Sequence, residues 1–174
     1  VAAELTASPS EDDAALGREL HAALRATFEP LPFTTTIGSR RFAWGQRTYV
    51  MGIITVTPDS FSGDGILAKE DTGKSGAQAA VEQALAMEEA GADLLDIGAE
   101  STRPGAAALP VLEELDRLMP ALCAVRAATS LPLSVDTYKA EVARAALAEG
   151  ADLVNDVRGL AGDGAMGMVI ARQG

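Results

Sequence analysis

The chain is poor in the residues that form cross-links and common catalytic triads. Its 174 residues include one cysteine, Cys123, and one histidine, His21. A single cysteine excludes an intrachain disulfide, and a single histidine disfavours both a His-rich metal site and a Ser-His-Asp triad. We expect Cys123 to fill the core, because it stands in the apolar run 119–125, and His21 to be a solvated helix position.

Positive charge and long apolar runs are also scarce. The chain has 14 Lys and Arg against 25 Asp and Glu, a formal net charge of −11. This acidity disfavours nucleic-acid binding and requires that an anionic substrate be held by a few local donors or a metal. No apolar run is long enough to span a membrane, and the acidic start lacks the features of a secretory signal. A cytoplasmic protein without nucleic-acid or membrane partners is therefore expected.

From residue 50 onward, apolar strands alternate with helices. The predicted strands are 50–56, 93–97, 133–135 and 153–157, and the predicted helices are 77–90, 112–129, 138–149 and 164–172. Pro120 should kink the second of these helices or mark its start. Because the strands are nearly continuous apolar runs, they indicate a parallel sheet covered on both faces. The strict alternation predicts an α/β fold.

An internal repeat favours a barrel over a doubly wound sheet. Residues 89–97 closely parallel residues 149–157, each reading as a helix end, a glycine turn, a buried strand and a polar strand end. A doubly wound dinucleotide fold would also need a Gly-rich turn after the first strand, where residues 57–60 read TPDS. A complete (β/α)8 or TIM barrel needs about 250 residues, so the chain is predicted to hold the first four βα units.

A half barrel would expose both sheet edges and an apolar inner face. We therefore expect a homodimer, or pairing with a C-terminal half barrel, and no activity from this chain alone. Residues 1–48 are predicted to precede the barrel domain, which occupies residues 49–174. They comprise a disordered tail over 1–11, an amphipathic helix over 12–28 and a β-hairpin near 34–37 and 41–49. The hairpin could plug the bottom of the barrel, with Trp44 in a packing role.

Polar residues stand at four successive predicted strand ends. They are Thr55, Asp59 and Ser60; Asp96 and Arg103; Asp136; and Asn155. In a (β/α)8 barrel all these ends open on the catalytic face. Such residues also cap helices, and Asp136 could be a cap for the helix predicted after it. Four consecutive ends with acid or amide groups favour a functional site instead.

Carboxylates and an amide suit a heterocycle such as a pterin, which presents N–H and amino donors beside a carbonyl. Arg103 is suited to a phosphate or carboxylate, because its guanidinium matches two oxygens. At these residues the sequence resembles the dihydropteroate synthase family. The segments that carry the resemblance are 51–62 (MGIITVTPDSFS), 96–105 (DIGAESTRPG), 134–139 (SVDTYK) and 155–157 (NDV).

The resemblance implies an enzyme of folate synthesis. The family joins p-aminobenzoate to 6-hydroxymethyl-7,8-dihydropterin pyrophosphate and releases pyrophosphate, with Mg2+ as cofactor. Asp136 and Asn155 would hold the pterin, and Asp96 would support the pocket. Thr102, Arg103 and Pro104 would lie in one substrate loop, and Asp59, Ser60 and Phe61 in another. Catalysis would depend on Arg103, which offsets the charge of the leaving group, with Asp96 and Asp136 beside the cation-like pterin.

One departure from the family pattern concerns the metal. Thr55 stands where the family has an Asn that helps to bind the magnesium–pyrophosphate unit. A catalytically impaired pterin-binding homologue, or a half-barrel structural fragment, is therefore an alternative. A methyltransferase domain of the corrinoid type is a further one, ranked lower because it is not expected to have both loops.

Overall fold

The computed structural model describes residues 7, 9–28, 33–56, 75–100 and 108–173. Its elements, in chain order, are α1 (Glu11–Phe28), β1 (Thr34–Ile37), β2 (Arg40–Ala43), β3 (Met51–Thr55), α2 (Gly76–Glu89), β4 (Leu94–Gly98), α3 (Val111–Ala128), β5 (Leu133–Asp136), α4 (Ala140–Ala148), β6 (Leu153–Asn155) and α5 (Met166–Gln173). The predicted alternation of strands and helices after residue 50 is confirmed. No helix within the described ranges is both long and apolar enough to cross a membrane.

Strands β3 to β6 form one parallel sheet in the order β3-β4-β5-β6. Each strand pairs with the next one along the chain, so the sheet grows in one direction only. A doubly wound sheet would instead reverse its strand order at a switch point. The order of strands is therefore that of consecutive units of a (β/α)8 barrel.

One face of this sheet packs against α2, α3 and α4 to form the core. Ile54, Leu95, Ile97, Leu133 and Val135 point to this face and are fully buried. The helices contribute many alanines, which let them approach the sheet closely. Gly52 has the same effect: a Cβ there would lie 2.6 Å from Met87 Sδ of α2.

The opposite face, the inner face of the sheet, has no second layer among the described residues. Ile53 of β3 is 58% exposed there, and Met51 and Leu153 are exposed as well. Every residue of β4 is nonetheless buried, because β4 is flanked by β3 and β5. The expectation that the strands are covered on both faces is wrong for β3 and β6, because no described element packs against their inner-face residues.

The sequence repeat corresponds to a repeated strand connection. Asp93 Oδ2 accepts the N–H of Val50 at 2.9 Å, and Asp152 Oδ2 accepts the N–H of Leu133 at 3.0 Å. In return, the N–H of each aspartate donates to the carbonyl of the same residue, at 2.7 Å in both cases. Each aspartate thus joins the start of its strand to the start of the preceding strand.

The helix termini also follow the repeat. Gly91 and Gly150 follow α2 and α4 with φ of 96° and 98°, a conformation that glycine adopts without steric cost. Pro120, however, lies inside α3 and does not mark its start. The helix continues because Leu118, Leu122 and Val125 bury its apolar face against the sheet.

The prediction that Cys123 fills the core is wrong. Its side chain is exposed on α3. Ala121 and Val125 face the core, and a residue two positions from each on an α-helix points away from it. Partial desolvation of the sulfur, followed by the charge of Glu149, raises the pKa of the Cys123 thiol, which disfavours a reactive thiolate.

The chain folds as two compact units, one of residues 1–35 and 41–48 and the other of residues 36–40 and 49–174. In the first unit, Trp44 stacks on Phe42 with ring centroids 5.5 Å apart, and its indole N–H donates to Thr35 Oγ1 at 2.9 Å. The predicted packing role of Trp44 is therefore confirmed. His21 is exposed on α1, as predicted.

In the second unit, the tip of the β1–β2 hairpin lies at the amino-terminal ends of the sheet strands. Arg40 Nη1 donates to the carbonyl oxygen of Asp93 at 3.5 Å, just before β4. Gly38, with φ of 55°, lies against the Asp152 carboxylate, just before β6. The tip therefore covers the end of the sheet opposite to the polar strand ends.

Candidate functional site at the carboxyl ends of the strands

The carboxyl ends of the four strands form one row across the sheet. Thr55 pairs with Gly98, Gly98 with Asp136, and Asp136 with Asn155. Side chains in one row of a sheet point to the same face, here the inner face. The row brings the side chains of Thr55, Asp136 and Asn155 to one polar edge, as expected for a barrel site.

A second polar row lies one pleat below. Asp96 is 3% exposed and pairs in register with Ser134. Its Oδ2 accepts a hydrogen bond from Asn155 Nδ2 at 3.0 Å. Because a carboxylate only accepts, this bond orients the Asn155 amide and leaves its carbonyl oxygen as an acceptor. Among the described residues, Asp96 Oδ1 and Ser134 Oγ are buried without a hydrogen-bond partner.

Gly98 provides room for the Asp136 side chain. A Cβ at residue 98 would lie 3.3 Å from Asp136 Cβ and 3.6 Å from its Oδ2. A larger residue there would crowd the carboxylate.

The surroundings of Asp136 disfavour a negative charge on its carboxyl group. Burial, followed by the charges of Asp96, Glu114, Asp156 and Glu100, raises the pKa of Asp136 to about 6. At neutral pH the group is mainly ionised, but it gains a proton in mildly acidic solution. A carboxyl with such a raised pKa, in a row of polar strand ends, marks a candidate functional site.

Asp136 does not cap the helix that follows it, so that alternative is wrong. The N–H of Ala140, at the start of α4, donates instead to Asp163 Oδ2 at 2.9 Å. Asp163 Oδ1 accepts the N–H of Ala165 at 2.9 Å as well. The loop after β6 thus supplies the cap, and the Asp136 carboxyl faces the polar edge.

A buried charged cluster beside Asp136 was not anticipated from the sequence as a unit. Lys139 Nζ forms ion pairs with Glu100 Oε2 and Glu114 Oε2, and Tyr138 Oη donates to Glu100 Oε1 at 2.8 Å. Exposed side-chain fractions are 12% for Lys139, 8% for Glu100 and 1% for Glu114. The sequence contained one indication that Glu114 is buried: it stands four residues before Leu118, on the apolar face of α3.

Hydrogen bonding overcomes burial in this cluster. Burial alone would raise the pKa of Glu100, but the bonds from Lys139 and Tyr138 lower it overall. Burial alone would lower the pKa of Lys139, but the bonds to Glu100 and Glu114 raise it overall. Both shifts favour the charged forms.

The loop after β6 packs onto this cluster through Arg158. Its guanidinium carbon lies 3.9 Å from the centroid of the Tyr138 ring. The loop is shaped by Asp156, which accepts the N–H of Arg158 at 2.8 Å and that of Leu160 at 2.9 Å. For this reason β6 ends at Asn155, two residues before the predicted end of the strand. In this turn Leu160 adopts a φ of 68°, which is a strained conformation for a leucine.

The structure thus describes four of the predicted site residues, Thr55, Asp96, Asp136 and Asn155. The other six, Asp59, Ser60, Phe61, Thr102, Arg103 and Pro104, lie outside the described residues. Within the described ranges, no group of three or more His, Cys, Asp or Glu residues could hold a metal ion.

The strand order and the polar edge define the class of protein: consecutive units of a (β/α)8 barrel with a site at the carboxyl ends of its strands. The pterin binding enzyme family matches residues 51–174. The chain belongs to this family. Its solved relatives are TIM barrels, so the predicted fold class is confirmed as a partial barrel of that fold.

The relatives of this chain include dihydropteroate synthases and folate synthesis proteins. The chain is 48% identical over 130 residues to a dihydropteroate synthase of Synechocystis sp., covering 75% of this chain and 41% of that protein. It is 43% identical over 141 residues to the mitochondrial folate synthesis bifunctional protein of Arabidopsis thaliana, covering 79% and 24%.

A solved dihydropteroate synthase of Xanthomonas albilineans with 4-aminobenzoic acid superposes with a TM-score of 0.70 at 46% identity, over 80% of this chain and 48% of that one. The same enzyme in complex with 7,8-dihydropteroate gives a TM-score of 0.65 at 42% identity, over 81% and 48%. The chain therefore spans about half the length of these synthases, or less.

Proposed function

We propose that this chain forms the N-terminal half of a dihydropteroate synthase, a transferase of folate biosynthesis. The proposed reaction joins p-aminobenzoate to 6-hydroxymethyl-7,8-dihydropterin pyrophosphate and releases pyrophosphate. The observation that carries the proposal is the pairing of Asp136 with Asn155 in one row, above the buried Asp96 that orients the Asn155 amide.

This arrangement is complementary to a pterin. The Asp136 carboxylate and the Asn155 carbonyl present acceptors on neighbouring strands, and strands of a sheet lie about 5 Å apart, so the two acceptors suit separate N–H and amino donors of a pterin ring. Asp96, held below them, lies where its unpartnered oxygen adds a further acceptor or negative charge. We propose that Asp96 supports the pterin pocket in this way.

The charge of the site suits the proposed chemistry. Loss of pyrophosphate leaves a cation-like pterin methylene, which the carboxylates near Asp136 stabilise electrostatically. The aniline nitrogen of p-aminobenzoate is already a nucleophile, so no activated Ser or Cys is required. Arg103 would offset the charge of the leaving group, and Thr102, Pro104, Asp59, Ser60 and Phe61 would shape the two substrate loops.

The described donors do not fit a magnesium ion held by protein side chains. Thr55 supplies one neutral hydroxyl at the end of β3, whereas Mg2+ sites commonly use one or two carboxylates together with substrate phosphates. Magnesium and the role of Thr55 thus stay predictions from the family resemblance. In a synthase reassembled from both halves, Thr55→Asn should raise magnesium-dependent turnover, and unchanged turnover would remove Thr55 from the proposed site.

Pterin binding can be tested on the chain itself by isothermal titration calorimetry with 7,8-dihydropteroate. We expect Asp136→Ala and Asn155→Ala each to weaken binding by about tenfold or more, because each removes a half-buried hydrogen-bond partner of the ligand. Asp116→Ala, an exposed acid on α3, is the matched control and should bind as the wild type does. Equal affinity in all variants would refute the assignment.

Synthase activity requires a second test. The described sheet contributes four strand ends, whereas a (β/α)8 barrel contributes eight. We expect no p-aminobenzoate-dependent pyrophosphate release from this chain alone. Co-expression with the C-terminal half of the Xanthomonas albilineans enzyme should restore it. Turnover by the isolated chain, or none after reassembly, would contradict this division of the active site.

A further inference from the structure

We propose that Lys139 is a positioning residue of the pterin site: its ammonium pairs with Glu100 and Glu114 and thereby offsets the negative charge that surrounds Asp136. This inference rests on the proposed role of Asp136 in pterin binding. Lys139 itself is not placed in contact with the substrate.

The position of Lys139 follows from the elements around it. It is the residue immediately before α4, three positions after Asp136 at the end of β5. From there its side chain reaches Glu100, just after β4, and Glu114, in α3. A single buried ammonium therefore joins the segments after β4 and β5 to the helix between them.

Charged and titratable groups surround Asp136 on several elements. Asp96 of β4, Glu100 after β4, Glu114 of α3 and Asp156 after β6 all disfavour its ionisation. Lys139 is ion-paired to two of these four acids. Tyr138 donates to Glu100, and the Arg158 guanidinium covers the Tyr138 ring.

The balance of charge in the cluster is uneven. Two carboxylates share one ammonium, so the cluster holds one net negative charge when all three groups are ionised. Without the ammonium, Glu100 and Glu114 would present two uncompensated charges to Asp136 in a poorly solvated region. Without Glu114, the remaining Lys139–Glu100 pair would be neutral. Removing the charge of Lys139 and removing the charge of Glu114 are therefore expected to shift the titration midpoint of Asp136 in opposite directions.

The direct test is the carboxyl titration of Asp136, followed by 13C NMR and assigned with an Asp136→Asn sample. In Lys139→Gln, which keeps a donor but removes the charge, the midpoint should rise by about 1 pH unit. In Glu114→Gln it should fall by about half a unit. Lys139→Arg keeps the charge and should restore the wild-type midpoint to within a few tenths of a unit.

These outcomes separate electrostatic positioning from a purely structural role. A structural role would lower the melting temperature of both neutral variants and leave the Asp136 midpoint unchanged, which would overturn the proposal. A shift of the same sign in Lys139→Gln and Glu114→Gln would overturn it too. If Lys139→Gln does not fold, the fall in the Asp136 midpoint that is expected in Glu114→Gln still tests the proposal.

A second readout connects the cluster to the ligand. The pH at which 7,8-dihydropteroate affinity falls to half should move with the Asp136 midpoint in each variant, giving up to about tenfold weaker binding by Lys139→Gln near that pH. Wild-type protein that binds no 7,8-dihydropteroate would refute the proposed function alone, since the NMR titration needs no ligand. Affinity that does not follow the midpoint would refute the link between Lys139 and the site.

Discussion

At the scale of single residues, placement decides what each acid does. Asp136, Asp156 and Asp163 lie within one stretch of the chain, yet each has a separate task. Asp163 caps α4, Asp156 shapes the turn after β6, and Asp136 is left at the polar edge of the sheet. Composition alone does not distinguish these roles, because all three are short acids near a strand or helix end.

The raised pKa of Asp136 predicts a specific dependence of stability on pH. Its folded-state pKa of about 6 exceeds the ordinary value of 3.8, so between these values the folded state binds more protons than the unfolded state. Folding stability from this group therefore falls as pH rises from about 4 to about 6. Asp136→Asn should abolish that contribution, flattening the curve of unfolding free energy against pH.

Urea denaturation of wild type and Asp136→Asn across this range would measure the difference. Asp116→Asn on the exposed surface of α3 serves as the control and should run parallel to the wild type. A parallel curve for Asp136→Asn would contradict the prediction.

Leu160 provides a second prediction at this scale. A leucine with φ of 68° is strained, whereas glycine adopts the same conformation freely. Since its side chain is half exposed, little packing is lost on removal, and Leu160→Gly should raise the unfolding free energy by about 0.5–1 kcal/mol. The same substitution at exposed Leu112 in α3 should lower it by about 1 kcal/mol. A destabilised Leu160→Gly protein in chemical denaturation would show that the strain is absent.

At the scale of elements, the repeated Gly-Ala-Asp sequence acts as a strand connector. The glycine ends a helix, and the aspartate exchanges hydrogen bonds with the residue that opens the preceding strand. Arg126 reinforces the second copy by pairing with Asp152 at 3.3 Å and donating to the carbonyl of Leu131. The repeat is therefore a stabilising device at the amino-terminal end of the sheet, away from the candidate site.

Loss of this connector should be costly. Asp93 is buried, so Asp93→Ala leaves the N–H of Val50 without its charged acceptor and should destabilise the fold by about 2 kcal/mol. Asp116→Ala on the surface of α3 should change stability by less than about 0.5 kcal/mol. Thermal denaturation of both variants measures the contrast, and equal melting temperatures would show that the Asp93 bond contributes little.

At the scale of the whole molecule, the inner face and the sheet edges determine behaviour in solution. Met51, Ile53 and Leu153 are exposed on the inner face, and among the strands that the structure describes β3 and β6 each have a neighbour on one side only. Apolar surface beside an unpaired strand edge favours association with another chain. We propose that a second copy or a C-terminal half barrel covers this face.

Sedimentation velocity tests this association. The wild-type chain should sediment with a mass that increases with concentration, and Ile53→Lys should shift it toward the monomer by placing a charge on the inner face. Leu112→Lys, at an exposed leucine outside that face, is the matched control and should behave as the wild type does. A soluble wild-type monomer at all concentrations would refute the proposal.

Much of the fold was determined by local pattern. Apolar runs and glycine turns predicted each described strand and helix after residue 50 to within a few positions, because buried strands read as apolar runs and helices packed on one face keep a helical period. The grouping of Thr55, Asp96, Asp136 and Asn155 followed from the same reasoning, since parallel strands end on one edge.

Only the tertiary structure decided which groups pair with each other. The ion pairs of Lys139 with Glu100 and Glu114 join residues that are 39 and 25 positions apart in the chain. The exposure of Cys123 and the release of Asp136 from helix capping likewise depend on how a helix is rotated and on which loop lies next to it. These contacts arise from packing between segments that are distant in the chain. The periodicity of one helix or strand does not determine which other segment packs against it.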